Sequence, residues 1–121
     1  MNHQDTLLFL DDLRNPLDCI EYMTKRGYAH ALYTFDWIVV RNYDDFTKWI
    51  IENGLPKIIS FDHDLGDSIN DGIDCAKWLV SYCIEQQIGL PEYIIHSANP
   101  IGAENIKAYF ESFTKEFPFL K

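Results

Sequence analysis

The sequence is poor in basic residues, and this excludes one broad class of function. Ten Lys and Arg residues stand against 19 Asp and Glu in 121 residues, so the formal net charge is -9. General nucleic-acid binding relies on Lys and Arg to neutralise phosphates. The low content of basic residues therefore argues against this function. A small phosphorylated ligand held through a metal ion remains compatible with this charge.

Cysteines are scarce, and long apolar runs are missing. The three cysteines form no CxxC spacing, and Cys75 and Cys83 fall in an apolar helical pattern typical of buried thiols. No stretch approaches the roughly 20 apolar residues that a membrane span needs. Residues 2–5 are polar and no signal-peptide core follows them. We therefore expect a reduced, cytoplasmic protein without a membrane partner.

What the sequence does contain is a regular alternation of short apolar runs and helical patterns. Strands are predicted at residues 6–10, 37–40, 57–61 and 93–96. Helical patterns follow each of them, beginning near Pro16, Asn42, Ile73 and Pro100. Because no repeat, low-complexity stretch or linker interrupts this order, residues 1–121 are predicted to form one domain. The alternation predicts an α/β fold with a parallel sheet covered by helices on both faces.

Acidic residues follow the first and third predicted strands. Asp11 and Asp12 end the first, and Asp62 and Asp64 end the third. If the strand order is 2-1-3-4, these ends meet at the switch point where such sheets bind ligands. Clustered carboxylates require either a protonated member or a cation. Oxygen ligands favour Mg²⁺ or Mn²⁺, although nearby histidines leave a softer metal open and some aspartates could simply cap helices.

Two histidines also follow predicted strands. His63 lies between Asp62 and Asp64, and His96 follows the fourth strand. An imidazole beside a metal could act as general acid or base on a phosphate ester. Together with Asp62, these histidines are the candidate catalytic residues.

Further polar residues could hold the phosphate. Ser97, Asn99 and Gly102 lie at a strand-to-helix corner that suits an anion, although ordinary turn and cap chemistry is an alternative for Asn99 and Gly102. Arg14 and Arg41 each follow a predicted strand and could clamp a phosphate. A surface ion pair is the competing interpretation for Arg41.

These blocks resemble the receiver domains of two-component signalling, and more closely the divergent family of cyclic-phosphate-processing receiver domains. The resemblance lies in the strings FLDDLRNP (9–16), VRNY (40–43), SFDHDLG (60–66), DG (71–72) and HSANPIG (96–102). It implies a three-layer, flavodoxin-like fold with about four parallel strands. It also implies that Asp11 and Asp12 are the acid pair, that Asp62 is at the phosphoacceptor position and that Ser97 is the hydroxyl that follows the phosphoryl group.

The resemblance implies a metal-dependent, phosphoesterase-like hydrolase acting on a cyclic phosphate of a nucleotide or ADP-ribose derivative. In that hypothesis Asp11, Asp12, Asp62 and Asp64 hold the cation, and Asp62 is either a ligand or a nucleophile. The alternative is a non-catalytic receiver-like module that binds a nucleotide or is phosphorylated on Asp62. The chain lacks the lysine that receivers carry at a fifth strand, which weighs against a phosphorylation switch. A third hypothesis is that the chain is a structural, receiver-like protein that binds a partner protein through an aromatic face.

Overall fold

The computed structural model describes residues 6–25, 33–66, 70–97 and 99–120. In that part of the chain, strands and helices alternate as the sequence predicts. In chain order they are β1 (Leu7–Leu10), a 3₁₀ turn (Pro16–Cys19), α1 (Ile20–Lys25), β2 (Ile38–Val40), α2 (Tyr43–Asn53), β3 (Ile58–Phe61), α3 (Gly72–Gln86), β4 (Glu92–Ile95) and α4 (Pro100–Glu116).

The strands form one parallel sheet in the order β2-β1-β3-β4, which confirms the predicted topology. The hydrogen-bond ladder continues one residue past the strands. The amide of Asp62 donates to the Leu10 carbonyl at 3.0 Å, and the amide of His96 donates to the Phe61 carbonyl at 2.9 Å. Residues that follow β1, β3 and β4 are therefore held at the same edge of the sheet.

Both faces of the sheet are covered, because alternate strand residues are apolar on each side. On one face, Leu8, Leu10, Ile59 and Phe61 belong to a core that includes buried residues of α2, α3 and α4. On the other face, a smaller core surrounds Phe9 and contains the following buried residues: Cys19, Met23, Tyr33 and Ile94. This second face, which α1 covers, is called the α1 face below.

Local capping explains where the helices begin. The side chain of Asn42 accepts a hydrogen bond from the Asp45 amide at 2.8 Å, as the sequence predicts for the start of α2. Asp71 and Asp74 form a reciprocal capping box at the start of α3. Asp71 is therefore one of the aspartates that cap a helix.

Two apolar residues of the helical segments lie outside the packed faces. Leu17 is 65% exposed, because residues 16–19 form a 3₁₀ turn whose three-residue period does not align it with Met23. Ile84 is 40% exposed, because it flanks the packed stripe that ends at Cys83. The buried state of Cys75 and Cys83 is confirmed. Within the described ranges, no helix has the length and apolar character needed to cross a membrane.

Candidate functional site

An open cleft lies at the carboxyl ends of β1 and β3. Its volume is about 540 Å³ and its walls contain Leu13, Arg14, Gly66 and four aspartates, namely Asp11, Asp12, Asp62 and Asp64. Ligand atoms of Asp11, Asp12 and Asp62 all lie within 4.8 Å of one another. The structure thus brings together the four predicted metal-binding aspartates and Arg14.

Asp11 is buried and its carboxylate accepts four hydrogen bonds. Oδ1 accepts from the amides of Leu13 (2.9 Å) and Arg14 (2.8 Å), and Oδ2 accepts from Arg14 Nε (3.0 Å) and His96 Nε2 (3.0 Å). Burial alone would raise the pKa of Asp11, but the hydrogen bonds from His96, Arg14 and Leu13 lower it to about 2. Asp11 is thus a charged anchor whose oxygens are already satisfied within the protein.

Asp62 lies in a different environment, although it is also buried. Its Oδ1 accepts from the His63 amide at 2.9 Å and lies 3.6 Å from Arg14 Nη2. Burial, followed by the negative charge of Asp11, raises the pKa of Asp62 to about 6. Burial and the charge of Asp11 also raise the pKa of Asp12. This carboxylate set therefore carries the unbalanced negative charge that a divalent cation would offset.

Gly66 closes the cleft beside Asp12. Its backbone has φ +64°, and a Cβ atom there would lie 2.7 Å from Asp12 Oδ2. A side chain at this position would therefore both strain the backbone and displace the Asp12 carboxylate. The absence of a side chain at Gly66 therefore leaves room for the Asp12 carboxylate in the cleft.

His63 pairs with Asp64 near the rim. Its Nδ1 lies 2.8 Å from Asp64 Oδ1, and this hydrogen bond lowers the pKa of Asp64. The imidazole packs against Gly102, where a Cβ atom would come within 2.3 Å of the ring. Asn99 Nδ2 donates weakly to Asp64 at 3.4 Å. His63 is thus held beside the cleft by the first turn of α4.

His96 differs from the expectation that it faces the ligand. The residue is fully buried, and its ring stacks on Phe9 with a centroid distance of 4.4 Å. Nε2 contacts Asp11, and Nδ1 lies 2.6 Å from Ser60 Oγ. Burial lowers the pKa of His96. Both ring nitrogens make hydrogen bonds inside the protein. The prediction that His96 transfers a proton directly to a ligand is therefore corrected: His96 supports the Asp11 carboxylate instead.

The predicted phosphate-binding corner is used for capping. The buried Ser97 hydroxyl oxygen accepts from the Asn99 amide at 3.1 Å. Asn99 Oδ1 accepts from the Gly102 amide at 3.0 Å and caps α4. None of these residues lines the cleft. The cap interpretation therefore describes Asn99 and Gly102, while the expected contact of Ser97 with a phosphoryl group does not match its buried position.

Among the described residues, the Arg41 guanidinium donates to oxygens of the loop after β1 rather than to an acidic side chain. Its Nη1 donates to the carbonyls of Asp11 (3.2 Å) and Arg14 (2.7 Å), and its Nη2 donates to Asn15 Oδ1 (2.6 Å). The guanidinium thus braces the loop that carries Asp12 and Arg14.

Two residues of this region escape the sequence argument. Ser60 is a single hydroxyl within an apolar strand, which is the signal that could have identified it. Tyr33 lies in the aromatic segment 28–36, for which the sequence predicts no structure. Its hydroxyl lies 2.9 Å from Ser60 Oγ. Residues 28–32 of that segment, with Asp67 and Ala98, lie outside the described residues.

Comparisons with known proteins agree with this fold. A family model described as the cyclic-phosphate processing Receiver domain matches residues 6–112. No curated protein gives a significant match. Among solved structures, one titled as a yeast Spc42 trimeric coiled coil (amino acids 181–211) fused to another structure matches with a TM-score of 0.55 and 19% identity. The match covers 87% of this chain and 60% of that one, and at this identity it supports the fold alone.

Proposed function

The chain belongs to the family of cyclic-phosphate processing receiver domains, and we propose that it hydrolyses a cyclic phosphate of a nucleotide or ADP-ribose derivative with the help of a divalent cation. The observation that carries the proposal is the cleft in which Asp12 and Asp62 converge beside Arg14. It combines negative charge that suits a cation with one guanidinium that suits a phosphate.

The donor set fits Mg²⁺ or Mn²⁺. Asp12 and Asp62 are the ligands we assign, with Asp64 at the exposed rim, whereas the oxygens of Asp11 already accept four hydrogen bonds. Carboxylate oxygens without thiolates are the ligands these hard cations prefer. The raised pKa of Asp62, about 6, marks the carboxyl that would gain most from a bound cation. When bound, such a cation polarises phosphoryl oxygens.

The reaction we propose is ring opening by water. A water oxygen forms a bond to phosphorus, one ring P–O bond breaks, and the proton lost by water is balanced by a proton gained at the leaving oxygen. Arg14, whose side chain is 33% exposed, orients the phosphate from the cleft wall. His63 moves the proton, because its Nδ1 is paired with Asp64 and its Nε2 has no hydrogen-bond partner among the described residues.

A second route uses Asp62 as the nucleophile. Its carboxylate would then form the bond to phosphorus, and water would release the resulting aspartyl phosphate. The same residue makes a non-catalytic, phosphorylated receiver the competing function, since Asp62 lies at the end of β3. The buried position of Ser97, which points its hydroxyl oxygen at the Asn99 amide, weighs against that switch.

Phosphorus NMR distinguishes these functions. The protein is incubated with Mg²⁺ or Mn²⁺ and a panel of 2′,3′-cyclic and 1″,2″-cyclic phosphates. The matched variants are Asp62→Asn and Asp44→Asn, the second altering an exposed aspartate in the first turn of α2. Ring opening by the wild type and Asp44→Asn, but not by Asp62→Asn, supports the hydrolase. Binding without turnover supports the module, and a phosphoprotein formed from acetyl phosphate and lost in Asp62→Asn supports signalling.

A further inference from the structure

A buried row of polar side chains runs below the cleft on the α1 face. Tyr33 contacts Ser60 at 2.9 Å, Ser60 contacts His96 Nδ1 at 2.6 Å, and His96 Nε2 contacts Asp11 Oδ2 at 3.0 Å. Tyr33, Ser60 and His96 are fully buried, and Asp11 is 1% exposed. These side chains are therefore out of contact with bulk water, and their hydrogen bonds are made to one another within the protein.

The donors and acceptors of this row can be assigned from the charged end. The other three contacts of the Asp11 carboxylate come from N–H groups that can only donate, so we assign the proton of the fourth contact to His96 Nε2, which donates to Asp11. A neutral imidazole has one N–H, so Nδ1 accepts from the Ser60 hydroxyl. Ser60 has then used its one proton, so the Tyr33 hydroxyl donates to Ser60. Every hydrogen bond points from Tyr33 towards Asp11.

Ser60 also makes room for this arrangement. It lies between Phe9 and Ile94 in the register of the sheet. Because its side chain is small, the His96 ring can extend from the end of β4 across β3 and stack on Phe9. The ring is thus fixed by stacking on one face and by hydrogen bonds at both nitrogens.

The far end of the row reaches the cleft. Asp11 Oδ2 accepts from Arg14 Nε as well as from His96, and Arg14 Nη2 lies 3.6 Å from Asp62. A change in the direction of Asp11 would therefore move the guanidinium. We propose that Ser60, held by Tyr33, is a positioning residue that fixes His96 and through it the Asp11 carboxylate and the Arg14 guanidinium. This proposal rests on the proposed function only in assuming that Arg14 binds a phosphate.

Nitrogen NMR of the metal-free, ligand-free protein tests the proposal. Ser60→Ala and Tyr33→Phe each remove one hydroxyl while keeping the size of the side chain. Tyr82→Phe is the control, because that ring stacks on Trp78 of the same helix, α3, and packs against the core on the other face of the sheet. The readouts are the ¹⁵N shifts of His96 and the solvent exchange of the Arg14 Nε proton.

In the wild type we expect a protonated Nε2 and an acceptor-type Nδ1 for His96. Ser60→Ala should move the Nδ1 shift towards that of an unbonded nitrogen and speed exchange of the Arg14 Nε proton by roughly tenfold, as loss of one buried hydrogen bond implies. Tyr33→Phe should change both signals in the same direction by less, and Tyr82→Phe should change neither.

Unchanged His96 and Arg14 signals in folded Ser60→Ala would overturn the proposal, since a purely structural hydroxyl lowers stability without altering the cleft. If Ser60→Ala does not fold, Tyr33→Phe decides by the same signals. The NMR experiment uses no substrate, so it tests the positioning role of Ser60 even if the protein opens no cyclic phosphate. A failure of this proposal can therefore be distinguished from a failure of the proposed hydrolysis.

Discussion

Asp11 and Asp62 end neighbouring strands and share Arg14, yet their carboxyl groups have opposite protonation behaviour. The pKa of Asp11 is lowered to about 2, because four hydrogen bonds outweigh its burial. The pKa of Asp62 is raised to about 6, chiefly by burial and then by the charge of Asp11. The fold stabilises the charged form of Asp11, whereas the charged form of Asp62 lowers the stability of the folded protein.

Asp62→Asn is expected to stabilise the protein at pH 7. The pKa is raised from 3.8 to about 6, so the folded state binds more protons between these values and loses stability as the pH rises through them. Removing the charge should add up to about 3 kcal/mol to the free energy of unfolding at pH 7, since one pKa unit corresponds to ~1.4 kcal/mol. Urea unfolding at pH 7 and pH 4 measures this, and a variant less stable than the wild type at pH 7 would refute it.

Asp11→Asn should have the opposite effect. Its pKa is lowered from 3.8 to about 2, so its contribution is present above pH 3.8 and disappears as the pH falls through about 2. We expect a loss of about 2 kcal/mol at pH 7, on the same conversion of pKa into free energy. Urea unfolding at pH 7 checks the sign against Asp62→Asn. Equal stability of Asp11→Asn and the wild type would show that the four hydrogen bonds contribute nothing net.

Mg²⁺ or Mn²⁺ should stabilise the protein more at pH 7.5 than at pH 5. Below about pH 6 Asp62 is protonated, and protons then compete with the cation. A cation present at about 100 times its Kd would add ~2.7 kcal/mol. Thermal unfolding with and without the cation measures the shift. Asp12→Asn should abolish it and Asp44→Asn should keep it, whereas an equal shift at both pH values would argue against binding at Asp62.

Gly66→Ala should weaken cation binding, while Gly54→Ala should not. Both glycines have a positive φ, so each substitution should cost roughly 1–2 kcal/mol of stability. Only at Gly66 would the added Cβ lie 2.7 Å from Asp12 Oδ2, since nothing lies within 4 Å at Gly54. Titration with Mn²⁺, followed by electron paramagnetic resonance, compares the two variants. Equal affinities would show that the Asp12 carboxylate is not a ligand.

Much of the fold follows from the sequence because its apolar runs are short, buried on both faces and separated by clear helix signals. Asn42 and the aspartates after β1 and β3 illustrate this, since a cap or a strand end fixes where each of them lies. The convergence of Asp11, Asp12 and Asp62 follows from topology alone.

The directions of individual side chains do not follow from topology. The sequence predicts that His96 acts on the ligand, but its ring turns inward, stacks on Phe9 and contacts Ser60. The sequence suggests a phosphate clamp for Arg41, whereas the structure shows its guanidinium donating to carbonyls of the neighbouring loop. Both outcomes depend on contacts between residues distant in sequence, and no local pattern encodes them.

The most direct test of the proposed chemistry is ring opening in ¹⁸O-enriched water. The wild type, with Mg²⁺ or Mn²⁺, is predicted to convert a 2′,3′-cyclic or 1″,2″-cyclic phosphate into a monoester. One ¹⁸O atom should be bound to phosphorus, as phosphorus NMR and mass spectrometry would show. Chelation of the cation or Asp62→Asn should stop the conversion. If the folded wild type with its cation leaves every cyclic phosphate in the panel intact, the proposed hydrolysis is wrong.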